Sequence, residues 1–214
     1  MMTSIVIVGC GGHGRETLSI INALNTTHSH RQWQVLGFVD DDPSRDDRQR
    51  LQCLDLPWLG RIEWLSHSDR ATRVVLGIGD PRARRAVGER IEPYGLPAAN
   101  LVHPAATIGP DTVIGDGLLA FAGARVTTNV TLGRHVHLNQ NSTVGHDCVL
   151  DDYASVNPLA AVSGGCHVGT AALIGTTAAV LQGRRIGAGA IVGAGACVVR
   201  DVPAHSVVKG VPAQ

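Results

Sequence analysis

Two hydrophobic rhythms divide the chain. From Val102 to Val198 every sixth residue is aliphatic, through Ile108, Ile114, Ala120, Val126, Leu132, Leu138, Val144, Leu150, Val156, Val162, Val168, Ile174, Val180, Ile186 and Val192, without a slip. The next residue is often glycine, as at Gly109, Gly115, Gly145, Gly175 and Gly193, and the one four places on is mostly small, as at Ala124, Ser142, Ala160 and Cys166. Neither the two-residue period of a strand nor the 3.6-residue period of a helix produces this. Six residues per flat face and three faces per turn give a triangular prism of stacked parallel strands. Aliphatics fill its interior, small residues relieve its corners, and rungs stack about 4.8 Å apart. Asn139 and Asn157, one turn apart, should lie one above the other.

The first part of the chain has a different pattern. Ile5-Val6-Ile7-Val8 reads as a buried strand, followed by Gly9-Cys10-Gly11-Gly12-His13-Gly14 and an amphipathic helix carrying Leu18, Ile21 and Leu24. Val35–Val39 reads as a second strand ending at Asp40-Asp41-Asp42, and Val74–Ile78 as a third. Asp80 then caps a helix with Pro81 at its first position. Alternating strand and helix predicts a small Rossmann-like parallel α/β domain over 1–98, ahead of a β-helix over 99–214.

Composition supports the prism: the 214 residues include 26 Gly but only two Phe, two Tyr and three Trp, so small aliphatics must fill the core. With 18 basic and 18 acidic residues and no basic stripe, nucleic acid is not an expected partner. Five cysteines, odd in number and without paired metal spacing, argue for a reducing compartment. Cys148 and Cys166 fall in the small packing class. The apolar run at 5–8 is too short to span a membrane and lacks the flanks of a signal peptide, so a cytoplasmic protein is expected.

The first turn matches G-x-G-x-x-G, yet a domain of about three βα units has room for one nucleotide, not two. Its phosphates would meet backbone N–H groups at the helix start, around Gly11, Gly12 and His13, while Asp40 and Asp41 would face the ribose or base. Alternatively, the glycines only make a tight turn and the acids are solvated. Turn and acids together favour the nucleotide.

Both halves jointly carry a resemblance. The period-six array, with its ending Asp201-Val202-Pro203-Ala204 and Lys209-Gly210-Val211-Pro212-Ala213, is similar to the left-handed β-helix of hexapeptide acyltransferases. Adding the Gly-Gly-His-Gly-Arg-Glu turn, Phe38-Val39-Asp40-Asp41 and Leu101-Val102-His103-Pro104, nearly the whole chain resembles the NeuD/PglD-type bacterial sugar acetyltransferases. The resemblance implies a homotrimer, a nucleotide-linked amino sugar on the N-terminal domain, and acetyl-CoA on the β-helix. Sialic acid O-acetyltransferases are similar too.

Acetyl transfer needs a base for the nucleophile's proton and a donor for the oxyanion, and histidine titrates near neutrality. Of ten histidines, His28, His30 and His67 lie in polar segments and read as solvated. His103 reads as structural, and His205 belongs to the tail. His135, His137, His146 and His167 all fall within the β-helix. His146, in Val144-Gly145-His146-Asp147-Cys148, matches the family motif in which the histidine is the base and the following acid supports it. Adjacent strand residues point to opposite faces, so Asp147 reaches the ring only if the backbone turns there. The resemblance also implies acetyl-CoA contacts at Ser155, where the family commonly has a second histidine, and at the Gly164 N–H. N-acetylation of an amino sugar is the leading expectation, with no metal. The alternatives are sugar O-acetylation, a carbonic-anhydrase-like zinc site made from three histidines, and a non-catalytic scaffold.

Overall fold

A computed structural model describes residues 2–27 and 32–214; His28 and His30 lie outside the described residues. It divides into two compact units, Met1–Leu101 and Val102–Gln214. In the first, β1 (Thr3–Val8), β2 (Trp33–Val39), β3 (Trp58–Gly60) and β4 (Arg73–Leu76) form a parallel sheet in the order β3-β2-β1-β4. The helices α1 (Gly12–Thr27), α2 (Arg45–Cys53) and α3 (Pro81–Ile91) connect or follow these strands. β3 has no counterpart in the sequence reading, being three residues long with no apolar run before it. The unit also runs past residue 98. Val74 N–H donates to the Pro97 carbonyl and Ala99 N–H to the Val74 carbonyl, so residues 97–99 pair along β4.

Asp80 caps α3 as expected, its Oδ1 accepting from Ala83 N–H at 2.8 Å with Pro81 next. The chain steps from β1 to β2 and β3 on one side and returns to β4 on the other. The carboxyl ends of β1 and β4 therefore flank the switch point at which open α/β sheets hold ligands. Three glycines close this corner: a Cβ on Gly14 would overlap the Gly9 carbonyl, and one on Gly77 would lie 2.6 Å from Gly14 Cα. Gly9 itself has φ 108°, open to glycine alone at little cost.

The second unit is the left-handed prism. Two-residue strands alternate among three parallel sheets. One face stacks Leu119–Ala120, His137–Leu138, Ser155–Val156 and Leu173–Ile174; the second stacks Arg125–Val126, Thr143–Val144 and Ala161–Val162; the third stacks Thr131–Leu132, Val149–Leu150 and His167–Val168. The period-six aliphatics from Ala120 to Val198 are buried in one continuous core, while Ile114 in the first coil stays 37% exposed. Cys148 and Cys166 are buried in that core, each S–H directed to a carbonyl. Asn139 Nδ2 donates to Asn157 Oδ1 at 3.2 Å, a side-chain ladder of the kind the repeat predicted.

The prism turns its corners through residues in the left-handed region, among them Asn129, Asp147, Tyr153 and Leu159, with φ of 55°, 57°, 62° and 62°. The final coil is shorter than the rest: Ile191 pairs with Val207, 16 residues on, and the tail folds over Cys197. Among the described residues no helix is long and apolar enough to cross a membrane.

Candidate active site

The repeat itself fixes where His146 points. Gly145 closes the strand Thr143–Val144, and His146 and Asp147 form the corner that follows. The positive φ of Asp147 is the backbone turn that its contact with the ring requires, and Asp147 Oδ2 lies 2.7 Å from His146 Nδ1. His146 therefore sits at a corner rather than on a flat face. With Nδ1–H donating to the carboxylate, the lone pair is on Nε2, and the histidine side chain is 65% exposed. Hydrogen bonds, from His146 first and Asn129 second, hold the Asp147 carboxyl below the usual carboxylate range, so it stays an acceptor at neutral pH.

One turn further along, Gly164 lies directly beneath the imidazole. A Cβ there would come within 2.5 Å of Nε2 and 2.6 Å of Cε1. Its flanking N–H groups are used, Ser163 N–H by the Val180 carbonyl and Gly165 N–H by the His146 carbonyl. The Gly164 N–H between them has no partner among the described residues. A base and a free backbone donor thus share one corner, a rung apart.

Ser155 is not part of that corner. It lies fully buried on another face, between His137 and Leu173 in the ladder. Its neighbour His137 is 1% exposed. His135 occupies a corner and stacks on Tyr153 with ring centroids 5.1 Å apart. His167 pairs with Asp151 at 2.9 Å on the third face, and His103 Nδ1 accepts from Ala105 N–H at 3.0 Å. No group of three His, Cys, Asp or Glu side chains suited to a metal occurs among the described residues.

In the first unit, Gly11, Gly12 and His13 open α1 beside the switch point, and His13 lies against Gly79 at the end of the β4 segment. A Cβ on Gly11 would meet nothing within 4 Å, and one on Gly12 only the Arg15 guanidinium at 3.9 Å. The fold's own packing demands neither glycine. Burial first, then the Arg84 guanidinium, push the His13 imidazole down to about 4. Its place in the first turn of α1, at the positive end of the helix dipole, also disfavours a positive charge.

Asp40 and Asp41 stand at the end of β2, but both carboxylates already hold main-chain donors. Asp40 Oδ2 accepts from Cys10 N–H at 2.8 Å, tying β2 to the glycine turn, and its Oδ1 accepts from Asp42 N–H. Asp41 accepts from Ile62 N–H and pairs with Arg90 at 2.6 Å. Burial raises the Asp41 carboxyl, yet the Arg90 and Ile62 hydrogen bonds outweigh it and leave the group low. Both acids therefore build the crevice, and the second lone pairs of Asp40 remain for a hydroxyl.

Asn129 was not foreseen. Its Nδ2 donates to Asp147 Oδ1 at 3.3 Å from the corner one turn before, a spacing of 18 residues that the repeat alone would have pointed to.

Residues 4–91 match the model of the PglD N-terminal domain. The chain is 31% identical over 152 residues to the GDP-perosamine N-acetyltransferase of Escherichia coli O157:H7, the alignment covering 71% of this chain and 66% of that enzyme. The perosamine N-acetyltransferase of Caulobacter crescentus, solved with CoA and GDP-perosamine, superposes with a TM-score of 0.88 at 31% identity, over 100% of this chain and 97% of that one. The acetyltransferase domain of PglB from Neisseria gonorrhoeae FA1090, solved with acetyl coenzyme A, superposes with a TM-score of 0.87 at 30% identity, covering 100% and 99%. This chain belongs to the NeuD/PglD-type family of bacterial sugar acetyltransferases.

Proposed function

We propose that the protein transfers the acetyl group of acetyl-CoA to the amino group of a nucleotide-linked amino sugar, with His146 as general base. The observation that carries this reading is the His146–Asp147 contact at 2.7 Å, with the unused Gly164 N–H one rung away. Asp147 fixes the tautomer, and Nε2 takes the proton of the sugar amine as its nitrogen attacks the thioester carbonyl carbon. The oxyanion that forms is met by the Gly164 N–H. When the tetrahedral centre collapses, the C–S bond breaks and the CoA sulfur leaves, taking the proton from the His146 imidazolium. Products are the N-acetylated sugar nucleotide and free CoA thiol.

The sugar's nucleotide is assigned to the switch-point crevice. There Gly11 and Gly12 leave open space at the start of α1 for a phosphate to approach the backbone, and His13 and Asp40 stand close by. The five unpaired thiols suit a reducing cytoplasm. N-acetylation is favoured over O-acetylation because relatives covering the whole chain were solved with an amino-sugar nucleotide. In the Caulobacter relative, complexes with CoA and GDP-perosamine were obtained even with one histidine replaced by asparagine or alanine.

The test is thiol release from acetyl-CoA against a panel of nucleotide-linked amino sugars. His146→Ala and His146→Asn should lower kcat by about 10²–10⁴ with little change in acetyl-CoA affinity. Wild-type kcat in both variants, or thiol release from none of the panel, would overturn the assignment.

A further inference from the structure

The corner that carries Asp147 is one of a column. Asp111, Asn129 and Asp147 occupy the same left-handed corner position in three successive coils, with φ of 56°, 55° and 57°. Rungs stand about 4.8 Å apart, so the two carboxylates are roughly 10 Å apart with one neutral amide between them. That amide points one way along the column: Asn129 Nδ2 donates to Asp147 Oδ1 at 3.3 Å, while Asp147 Oδ2 receives Nδ1–H of His146. The carboxylate is thus held at both oxygens, from two different coils.

The arrangement matters because Asp147 is exposed. A free carboxylate on the surface rotates about its last torsion and exchanges its hydrogen bonds with water, and a dyad of that kind holds its imidazole loosely. The side chain of His146 is 65% exposed, and beneath it lies the backbone of Gly164. Its orientation therefore depends on Nδ1, and Nδ1 depends on a carboxylate that something else must fix.

We infer that Asn129 is a positioning residue for the transfer reaction, clamping Asp147 so that the His146 ring is held with Nε2 toward the acceptor amine. The inference rests on the proposed role of His146 and extends the dyad to Asn129–Asp147–His146. Asparagine suits the place on two counts. It tolerates the left-handed backbone better than other residues with a side chain, and its amide donates to the carboxylate without adding charge. An aspartate there would put three carboxylates in adjacent coils.

Among the described residues of the second unit, the charged and titratable groups at this corner are few. Asp147 is on its own corner, and Asp111 lies two coils back. The coil before presents only Thr128 and Asn129, the coil after presents Gly164 and Gly165, and Cys148 and Cys166 are turned into the core. A change at 129 therefore reaches the base chiefly through Asp147.

Two variants separate positioning from packing. Asn129→Gly keeps the left-handed corner and removes the amide. It should lower kcat about 5- to 20-fold, leaving both KM values and the melting temperature near wild type. Asn129→Asp adds a carboxylate beside Asp147 and stabilises the imidazolium. The limb on which rate rises with pH should move upward by about half a pH unit or more, a change that mere loss of packing does not produce. Asn129→Gly with wild-type kcat, or Asn129→Asp with an unmoved limb, would overturn the inference. His146→Ala run alongside distinguishes the two levels. If it is inactive while both Asn129 variants behave as wild type, only the clamp fails. If it keeps wild-type kcat, the assignment of the base fails first.

Discussion

A single buried imidazole in the first unit should make stability depend on pH. His13 is 15% exposed, and burial together with Arg84 holds it near 4, although Glu16 approaches its Nδ1 at 3.4 Å. In the unfolded chain the same group takes up a proton near pH 6.5. Between those values the unfolded state binds the extra proton, so stability is fully present above about 6.5 and is lost as pH falls toward 4. The loss over that window should be on the order of 3 kcal/mol. All three tryptophans, Trp33, Trp58 and Trp64, lie in this unit, so urea unfolding followed by tryptophan fluorescence reports on it alone. Titrated from pH 7 to 4, the wild type should show this fall and His13→Gln should flatten it. An equal slope in the two would show that His13 does not carry the effect.

At the scale of elements, the turn from β1 into α1 uses glycine for two different purposes. Gly14 has no room for a side chain, being pressed on the Gly9 carbonyl, whereas Gly11 faces open space. Gly14→Ala should therefore destabilise the first unit by more than about 2 kcal/mol. Gly11→Ala should cost less than about 1 kcal/mol yet raise the KM for the sugar nucleotide. The same fluorescence unfolding assay and steady-state kinetics check both. The opposite pattern would assign Gly11 to packing and remove it from the ligand site. The sequence could not separate these glycines, because the motif names both while only the close approach of the helix start to the Gly9 carbonyl makes one of them obligatory. Elsewhere the elements were plain to read. A strict six-residue aliphatic repeat allows few alternatives, and Asp80-Pro81 announces a helix start by its own chemistry. β3 was hidden because Trp58–Gly60 is too short for any period to register. That Ser155 is buried was not legible, because a motif gives a position in the repeat but not whether that face is covered. The contact between His146 and Asp147 depended on a corner conformation that no hydrophobic pattern records, although the same corner, traced back one turn, leads to Asn129.

For the whole molecule the open question is assembly. Of the apolar side chains at outward positions of the prism, Leu119 is fully buried and Leu173 half-buried, but Val149 is 37% and Leu159 58% exposed. Leu159 also holds a left-handed corner at φ 62°, a conformation costing a branched side chain roughly 1–2 kcal/mol. An exposed leucine in a strained corner finds a use where another surface covers it, and a closed three-fold assembly of prisms side by side would do so. Multi-angle light scattering should give three times the chain mass of 22.4 kDa at micromolar concentration. A monomer there would exclude the trimer.

Sideways association leaves the prism's ends to be dealt with, and the short last coil bears on them. A solenoid of identical rungs would finish in a bare ladder of donors and acceptors, a template on which the next molecule could continue the stack. Here the tail closes that route. Cys197 N–H donates to the Gly210 carbonyl, Ala213 N–H returns to the Cys197 carbonyl, and Lys209 and Gln214 exchange backbone bonds with each other. With two residues missing from the turn, a further coil would meet the ladder out of register. The same shortening that ends the repeat thus also breaks the register that end-to-end growth into fibres would need.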